Sequence, residues 1–388
     1  MKKIKIAHVI TRMIIGGAQE NTLLSVEGLH ANAEYDVDLI TGPAIGPEGT
    51  LLDRAYKNKI SVLLIHEMRR NLNVYYDTIA FIKLYKLFKS KKYDIVHTHS
   101  SKAGILARAA AHIANVPVII HSIHGLAYHR FENQVLNIIY IYVERLVSRW
   151  TQKIITVCPE MTRKALAEKV GTPEQYQTIY SGIETERFTT ASKSDATLLR
   201  NELDIPENAL VVGKIARLFY LKGHTYLLPA IKKVIDRKPN TYFLLVGDGI
   251  LKNMLQHEAK KLGIDRHIRF VGLVKPEEIP RYVQCMDIVV HLSLREGLPR
   301  VVPQAFLCKK PVVVYDIDGA YNIVEDGKNG FLIPPKSIDM ISEKILFLIE
   351  NKDVRSKMGM DGYHKAIDLF PYERMVKELD ALYKEYMV

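Results

Sequence analysis

The sequence predicts an α/β protein of two doubly wound domains facing each other across a central cleft. Apolar runs alternate with amphipathic helical stretches along almost the whole chain. Such alternation builds parallel sheets covered by helices on both faces. The alternation also comes in two series of similar length, parted at 184–208 by a polar stretch that contains ETERFTTASKSD. A chain of 388 residues has room for two or three domains of roughly 150 residues each. The expected domains are 1–187 and 188–371.

In the first series, strands fit 3–11, 35–41, 60–65, 94–98, 117–122 and 153–157. Helices fit 18–31, 74–90, 101–115, 133–149 and 160–169 between them. The polar stretch reads as a linker with a short helix. The second series places strands at 210–216, 241–247, 267–271, 287–292, 311–315 and 330–333. Its helices fit 223–236, 250–262, 277–284, 300–308, 337–349 and 352–366, and a last helix, 372–387, follows a break at Pro371. In doubly wound sheets, ligands bind at the carboxyl ends of the strands, where the strand order reverses. Two such faces across a cleft make a donor site and an acceptor site.

Composition narrows the function classes. Hydrophobic residues make up 48% and charged residues 25%, as in a soluble globular protein. Cys158, Cys285 and Cys308 are far apart in the chain, with neither metal spacing nor a disulfide pattern, which implies a reducing compartment. The start MKKIKIAHVI alternates like a strand and lacks a cleavage site. No apolar run approaches the ~20 residues of a membrane span, and 135–147 is broken by Asn137, Glu144 and Arg145. The net charge of +11 suits an anionic ligand or surface. It is spread along the chain without aromatic-interleaved basic motifs, so nucleic acid is not the expected partner.

The run HLSLREGLPRVVPQ, 291–304, is the most informative. A strand leads into a turn bearing Glu296 and Gly297, and a helix is expected to open at Pro299. The carboxylate can accept sugar hydroxyls, and the helix start can hold phosphate oxygens. In GKIARLFYLKG, 213–223, Arg217 and Lys222 sit in a loop before a helix, which suits a diphosphate. Gly16 and Gly17 in TRMIIGGAQE form a strand-to-helix turn without the dinucleotide fingerprint. His97 and His99 end one strand, and His121 and His124 the next. Their spacing invites a zinc reading. No Cys or acidic residue completes a set locally, and the two-residue strand period puts His97 and His99 on one face as core or rim residues.

These motifs resemble those of the retaining family-4 glycosyltransferases, whose GT-B fold has two Rossmann-like domains. The resemblance covers essentially the whole chain and is most specific over 211–335. It implies that Glu296 positions the donor sugar, with Gly297 and Leu298 beside it. Arg217 and Lys222 would contact the nucleotide diphosphate. His124 and Gly125 would meet the sugar from the first domain, and Gly16 and Gly17 would form a Gly-rich loop. VGDGILK resembles the family's Gly-x-Gly turn at Gly247 and Gly249. Backbone groups near Leu273 and Val274 would hold the nucleobase. Gln304 stands where relatives carry a Glu that accepts bonds from ribose, and a neutral acceptor binds less strongly. Ser181 and Glu184 in YSGIE also depart from the family turn. Asp316 and Asp318 resemble a metal-binding Asp-x-Asp, but the resemblance implies transfer without metal. No cofactor is expected beyond a nucleotide-diphosphate sugar, with UDP preferred over GDP. The last helix would cross back onto the first domain.

The acceptor side is expected around His99, Arg69 and Arg70, with His97 and His121 structural. In helix 77–92, Phe81, Leu84, Tyr85 and Phe88 form one stripe and Lys83, Lys86 and Lys89 another. This describes either a plain amphipathic surface helix or one drawn to anionic lipid. The aromatic helix 133–149 has the same two readings. The sequence therefore points to a retaining, metal-independent glycosyltransferase acting on a glycan or lipid-linked glycan in surface polysaccharide assembly. It would be cytoplasmic, or peripheral on the inner face of the cytoplasmic membrane. A nucleotide-sugar epimerase of the same fold would need acidic catalysts in the first domain, and none is well placed. A non-catalytic nucleotide-sugar binder fits Gln304 but not the intact Glu296, Arg217 and Lys222.

Overall fold

A computed structural model describes residues 3–46 and 49–387. The chain forms two units: residues 1–182 with 372–388, and residues 183–371. The crossover thus falls at 182/183, five residues before the expected 187/188 boundary.

Among the described residues, the first unit holds seven strands, β1 (Ile4–Arg12), β2 (Tyr35–Gly42), β3 (Ser61–Leu64), β4 (Ile95–His99), β5 (Val118–Ile123), β6 (Lys153–Thr156) and β7 (Tyr176–Thr178). Their order is β3-β2-β1-β4-β5-β6-β7, and every pairing is parallel. Strands buried on both faces read as nearly continuous apolar runs, and in β1 every residue from Ile6 to Thr11 is buried. The two-residue period divides the layers. Ile6, Ile10 and Leu39 join one core with the helices Gly17–His30 and Tyr372–Glu385. Ala7, Val9 and Ile40 join the other with the helices Val74–Lys91 and Ser101–Ile113. Helix Tyr372–Glu385 buries Met375, Leu379, Leu382 and Tyr383. Each apolar side chain of this size contributes about 1.5–3 kcal/mol on full burial, so this helix is part of the first unit's core.

The second unit holds β8 (Leu210–Ile215), β9 (Thr241–Val246), β10 (Ile268–Gly272), β11 (Ile288–His291), β12 (Val312–Tyr315) and β13 (Gly330–Ile333). Their order is β10-β9-β8-β11-β12-β13, again all parallel. Both sheets reverse strand order beside their first strand, at β1/β4 and at β8/β11.

The fold class agrees with the sequence, and the differences are local. Strand β7 reads Tyr-Gln-Thr, too short and polar to show as an apolar run. The helix Leu52–Lys57 spans six residues. The polar stretch carries two helices, Thr185–Thr189 and Lys193–Glu202. The helix expected to open at Pro299 begins at Val301. Pro303 lies in its first turn, where a missing N–H costs nothing. In helix Val74–Lys91, Leu84 and Phe88 are buried in their own domain core, Phe81 and Tyr85 pack against it, and Lys83 pairs with Glu67 at 2.7 Å. The apolar stripe of this helix is thus spent on the domain core.

Candidate active site

In the second unit, the loops after β8 and β11 meet at the switch point. Leu294 N–H donates to the Leu221 carbonyl at 2.8 Å, which ties the two loops together. Gly223 makes the approach possible: its φ is +70°, and a Cβ there would lie 1.9 Å from the Leu292 carbonyl oxygen. Only glycine fits such a left-handed, crowded position. Lys222 Nζ thereby reaches Glu296 Oε1 at 2.6 Å. His291 Nε2 donates to the same oxygen at 3.1 Å, and Glu296 N–H donates to Asp318 Oδ2 at 2.7 Å. Asp318 therefore braces the Glu296 turn. Burial acts to raise the Glu296 carboxyl pKa, but the Lys222 ammonium and the His291 hydrogen bond outweigh it and hold the group well below the usual carboxylate range. Glu296 stays ionised and aimed.

Beneath this pair lies a residue that the sequence reading did not single out. Lys214 is 1% exposed, and its Nζ has no hydrogen-bond partner among the described residues. Burial, reinforced by the nearby Lys222 charge, pushes its pKa down to about 7. Buried His224 donates from Nε2 to the Arg217 carbonyl at 3.0 Å, fixing the backbone of that loop. The exposed Arg217 guanidinium lies over the Phe219 ring, 4.7 Å from its centroid. Gly247, with φ +132°, approaches the Ala216 carbonyl so closely that a Cβ would sit 2.2 Å from it. Leu273 and Val274 follow β10, with Leu273 exposed. Gly297 and Leu298 are buried and Gln304 is half-buried.

In the first unit, the switch point is filled with imidazoles. His8 on β1 is in register with His97 on β4, and His99 with Ser122 on β5. His8, His97 and His99 are all buried, and their ligating nitrogens lie within 4.8 Å of one another. Each ring nitrogen of these three has a protein partner: His8 Nδ1 meets His99 Nε2 at 2.9 Å, and His97 Nε2 meets Ser122 Oγ at 2.8 Å. Tyr383 Oη meets His97 Nδ1 at 2.5 Å and His8 Nε2 at 3.3 Å, while His99 Nδ1 meets His124 Nε2 at 3.0 Å. His99 is 1% exposed, and its Nδ1 is turned to His124. His121, also buried, bonds Thr98 Oγ1 at 2.8 Å. Half-buried His124 and Gly125 line a small cavity with Ser100, Ser101, Tyr128 and Glu144. Glu144, which interrupts an apolar run in the sequence, pairs at 2.6 Å with the fully buried Arg108. Gly17 begins its helix, and Gly16 is extended. A second groove, of about 560 Å³, is bordered by Arg12, Arg69, Arg70, Asn71 and Tyr76. Arg69 lies 4.3 Å over the Tyr76 ring.

The family model for glycosyl transferases group 1 matches residues 195–365, and that for glycosyltransferase family 4 matches residues 15–187. An Escherichia coli UDP-Gal:α-D-GlcNAc-diphosphoundecaprenol α-1,3-galactosyltransferase is 30% identical over 390 aligned positions, covering 100% of this chain and 98% of that protein. The chain belongs to the family-4 glycosyltransferases. The Staphylococcus aureus capsular polysaccharide biosynthesis glycosyltransferase CapM is 22% identical, covering 86% of this glycosyltransferase and 87% of CapM. The Anabaena HepE structure with UDP-glucose matches with a TM-score of 0.84 at 23% identity, over 98% of this chain and 100% of that one. That match establishes the shared GT-B-type fold.

Sequence reasoning missed His8, Tyr383, Lys214 and the Arg108–Glu144 pair. His8 sits alone in IKIAHVITR, and the partners of the others are set by strand register and tertiary packing. A lysine inside an apolar strand, as in LVVGKI, was the one available signal.

Proposed function

We propose that this glycosyltransferase moves a sugar from a UDP-sugar to a hydroxyl of a diphosphate-linked, lipid-carried glycan, with retention at the anomeric carbon and without metal. The observation that carries the reading is the Lys222–Glu296–His291 constellation at the β8/β11 switch point. Glu296, held ionised, accepts the hydroxyls of the donor sugar. Lys222 and Arg217 place positive charge where the diphosphate develops negative charge on leaving, which is the largest kind of catalytic contribution. Gln304 accepts from ribose, and the backbone at Leu273 and Val274 holds the base. Glu296 is engaged by Lys222 and His291, which suits positioning rather than attack on the anomeric carbon. Retention then follows a front-face course. The bond from the anomeric carbon to the phosphate oxygen breaks, the acceptor oxygen bonds on the same face, and the departing phosphate takes the acceptor proton.

The first unit supports the acceptor. Arg12, Arg69 and Arg70 suit a diphosphate that is already part of the acceptor, as in the acceptor named for the Escherichia coli relative. Among the described residues, no helix is long and apolar enough to cross a membrane. Helix Gln134–Ser148 nevertheless exposes Val135 (64%), Ile138 (55%) and Tyr142 (65%) along one face, with Arg145 near the Tyr142 ring. Apolar and cationic groups on one face suit docking at an anionic membrane surface, so this helix, rather than Val74–Lys91, is the membrane-facing element of the proposal.

The test is transfer from UDP-sugars to a synthetic lipid-diphosphate GlcNAc acceptor, in EDTA, with the product anomer assigned by NMR. An α-linked product from an α-linked donor supports the reading. An inverted product, or a strict need for added divalent metal, refutes it.

A further inference from the structure

Strand β8 carries a lysine on a face that packs as core. Residues 212 and 214 share one side of the strand by its two-residue period, and Val212 packs with Leu227 and Leu228 of the helix His224–Arg237. Lys214 thus buries its amine near the carboxyl end of β8, with no hydrogen-bond partner for Nζ among the described residues. Four titratable groups interact with it electrostatically. His224 opens the helix and gives its Nε2–H to the Arg217 carbonyl, which leaves a bare, buried Nδ1. Lys222 and Glu296 form the ion pair of the two loops. His291 ends β11 and is committed to Glu296.

The charges around this amine do not balance. Glu296 is the carboxylate among the four, and it already answers the Lys222 ammonium and receives the His291 hydrogen bond. A second buried ammonium would have no anion of its own, and such a charge is relieved by losing its proton. The pKa of about 7 at Lys214 has this cause, burial first and Lys222 second. Burial also keeps His224 and His291 neutral. The Lys222 charge is thus felt at Lys214 as repulsion. A sugar nucleotide resting on Lys222 brings two negative charges to much the same place and reverses that field, which favours the ammonium form.

We propose that Lys214 takes up a proton when a nucleoside-diphosphate sugar settles on Lys222, which couples donor binding to pH. The place of the diphosphate rests on the function proposed above; the imbalance of charge in the empty site does not. The ligand raises the pKa of Lys214, so donor affinity is greatest below the ligand-free value of about 7. Above that value it falls, by up to about tenfold per pH unit, until the ligand-bound pKa is passed.

Two measurements on the full chain test it. The first follows the ¹³Cε signals of lysine-labelled protein from about pH 5.5 to 9.5, with Lys214→Met assigning the resonance. Without ligand, Lys214 should titrate near neutrality, and Lys222→Met should raise its value, since repulsion is lost and Glu296 is freed. Saturating UDP-glucose or UDP-galactose should raise it by about one unit or more in the wild-type protein. These probes serve because their doubly esterified diphosphate exchanges no proton near neutral pH, unlike UDP. Lys310 is the internal control: burial lowers its pKa too, but its Nζ donates to the Gln284 carbonyl at 3.1 Å, near Asp287 at the far end of β11 from His291. Its titration should not respond to the probes.

The second measurement is titration calorimetry of the same probes near pH ~8 in HEPES, Tricine and Tris, whose differing ionisation heats give the proton count. Uptake should approach about one proton in the wild-type protein and vanish in Lys214→Met. Should that variant fail to fold, Lys214→Gln replaces it. Four results overturn the proposal: Lys214 titrating with the surface lysines, no response to Lys222→Met, binding without proton uptake, or uptake that persists without Lys214. Binding without uptake leaves the proposed function standing. GDP-mannose is run alongside, and uptake with it while UDP-sugars fail to bind would refute the UDP donor and uphold the coupling. If none of the three probes binds, both fall.

Discussion

Replacing Lys222 with Met removes a charge while keeping most of the side-chain volume, so it isolates the ion pair with Glu296. Removing one partner of a fully buried pair costs about 3–5 kcal/mol, because the other charge is left unpaired. Here the side chains are 23% and 18% exposed, and His291 still donates to the carboxylate. A cost of about 2 kcal/mol near pH 7 is therefore expected. For a domain of this size that lowers the melting temperature by roughly 4–8 °C. The pH dependence gives a sharper signature. The folded pKa of Glu296 is depressed below its unfolded value near ~4.3, so its stabilisation is present above that value and fades as pH falls through the folded pKa. Without Lys222, burial dominates and the carboxyl titrates higher. The melting-temperature gap between wild type and Lys222→Met should thus be widest near neutrality and narrow below about pH 4.5. Calorimetry from pH 3.5 to 7.5 measures it. A gap independent of pH would show that Lys222 does not hold Glu296 ionised. If Lys222 also faces the diphosphate, UDP affinity falls about 10- to 100-fold by titration calorimetry.

Gln304→Glu should tighten UDP binding by up to about tenfold, less any desolvation cost, because an ionised acceptor makes the stronger bond; altered acceptor affinity with unchanged UDP affinity would move residue 304 away from the ribose. Arg69→Ala combined with Arg70→Ala should raise the KM for a diphosphate-linked acceptor about tenfold or more while UDP affinity stays constant; equal KM values would remove the groove from the acceptor path. Ile138→Asp should lower the fraction bound to vesicles containing phosphatidylglycerol and leave the melting temperature within about 1 °C, since the side chain is exposed; unchanged flotation with vesicles would return helix Gln134–Ser148 to an ordinary surface role.

The parallel sheets were legible because their strands are buried on both faces and so read as apolar runs. Strand β7 escaped because Tyr-Gln-Thr has neither the length nor the apolarity of such a run. The helix after Glu296 begins two residues later than its sequence signal, with Pro299 left outside it. Lys222 and Glu296 were individually visible through their motifs. Their pairing depends on the left-handed turn at Gly223, which the Lys-Gly order only hints at. The histidine chain was half visible. The strand period put His97 and His99 on one face, but no local pattern marks the third imidazole, because His8 lies 91 positions before its partner His99. Tyr383, 286 positions from His97, leaves no local pattern at all.

The second unit is continuous in sequence, whereas the first is closed by a helix synthesised after the whole of the second. Met375 and Leu379 belong to the same core as Ile6 and Leu23, and the two ends of the second unit are stitched together where Ile183 N–H donates to the Phe370 carbonyl at 2.8 Å. On the ribosome, the usual order, in which the domain made first folds first, is therefore inverted. The second unit can complete its core while the first still waits for this helix. Until the helix Tyr372–Glu385 has been made, the nascent chain exposes the apolar face of an unfinished first unit, and a chain cut short before Tyr372 would keep that face permanently open.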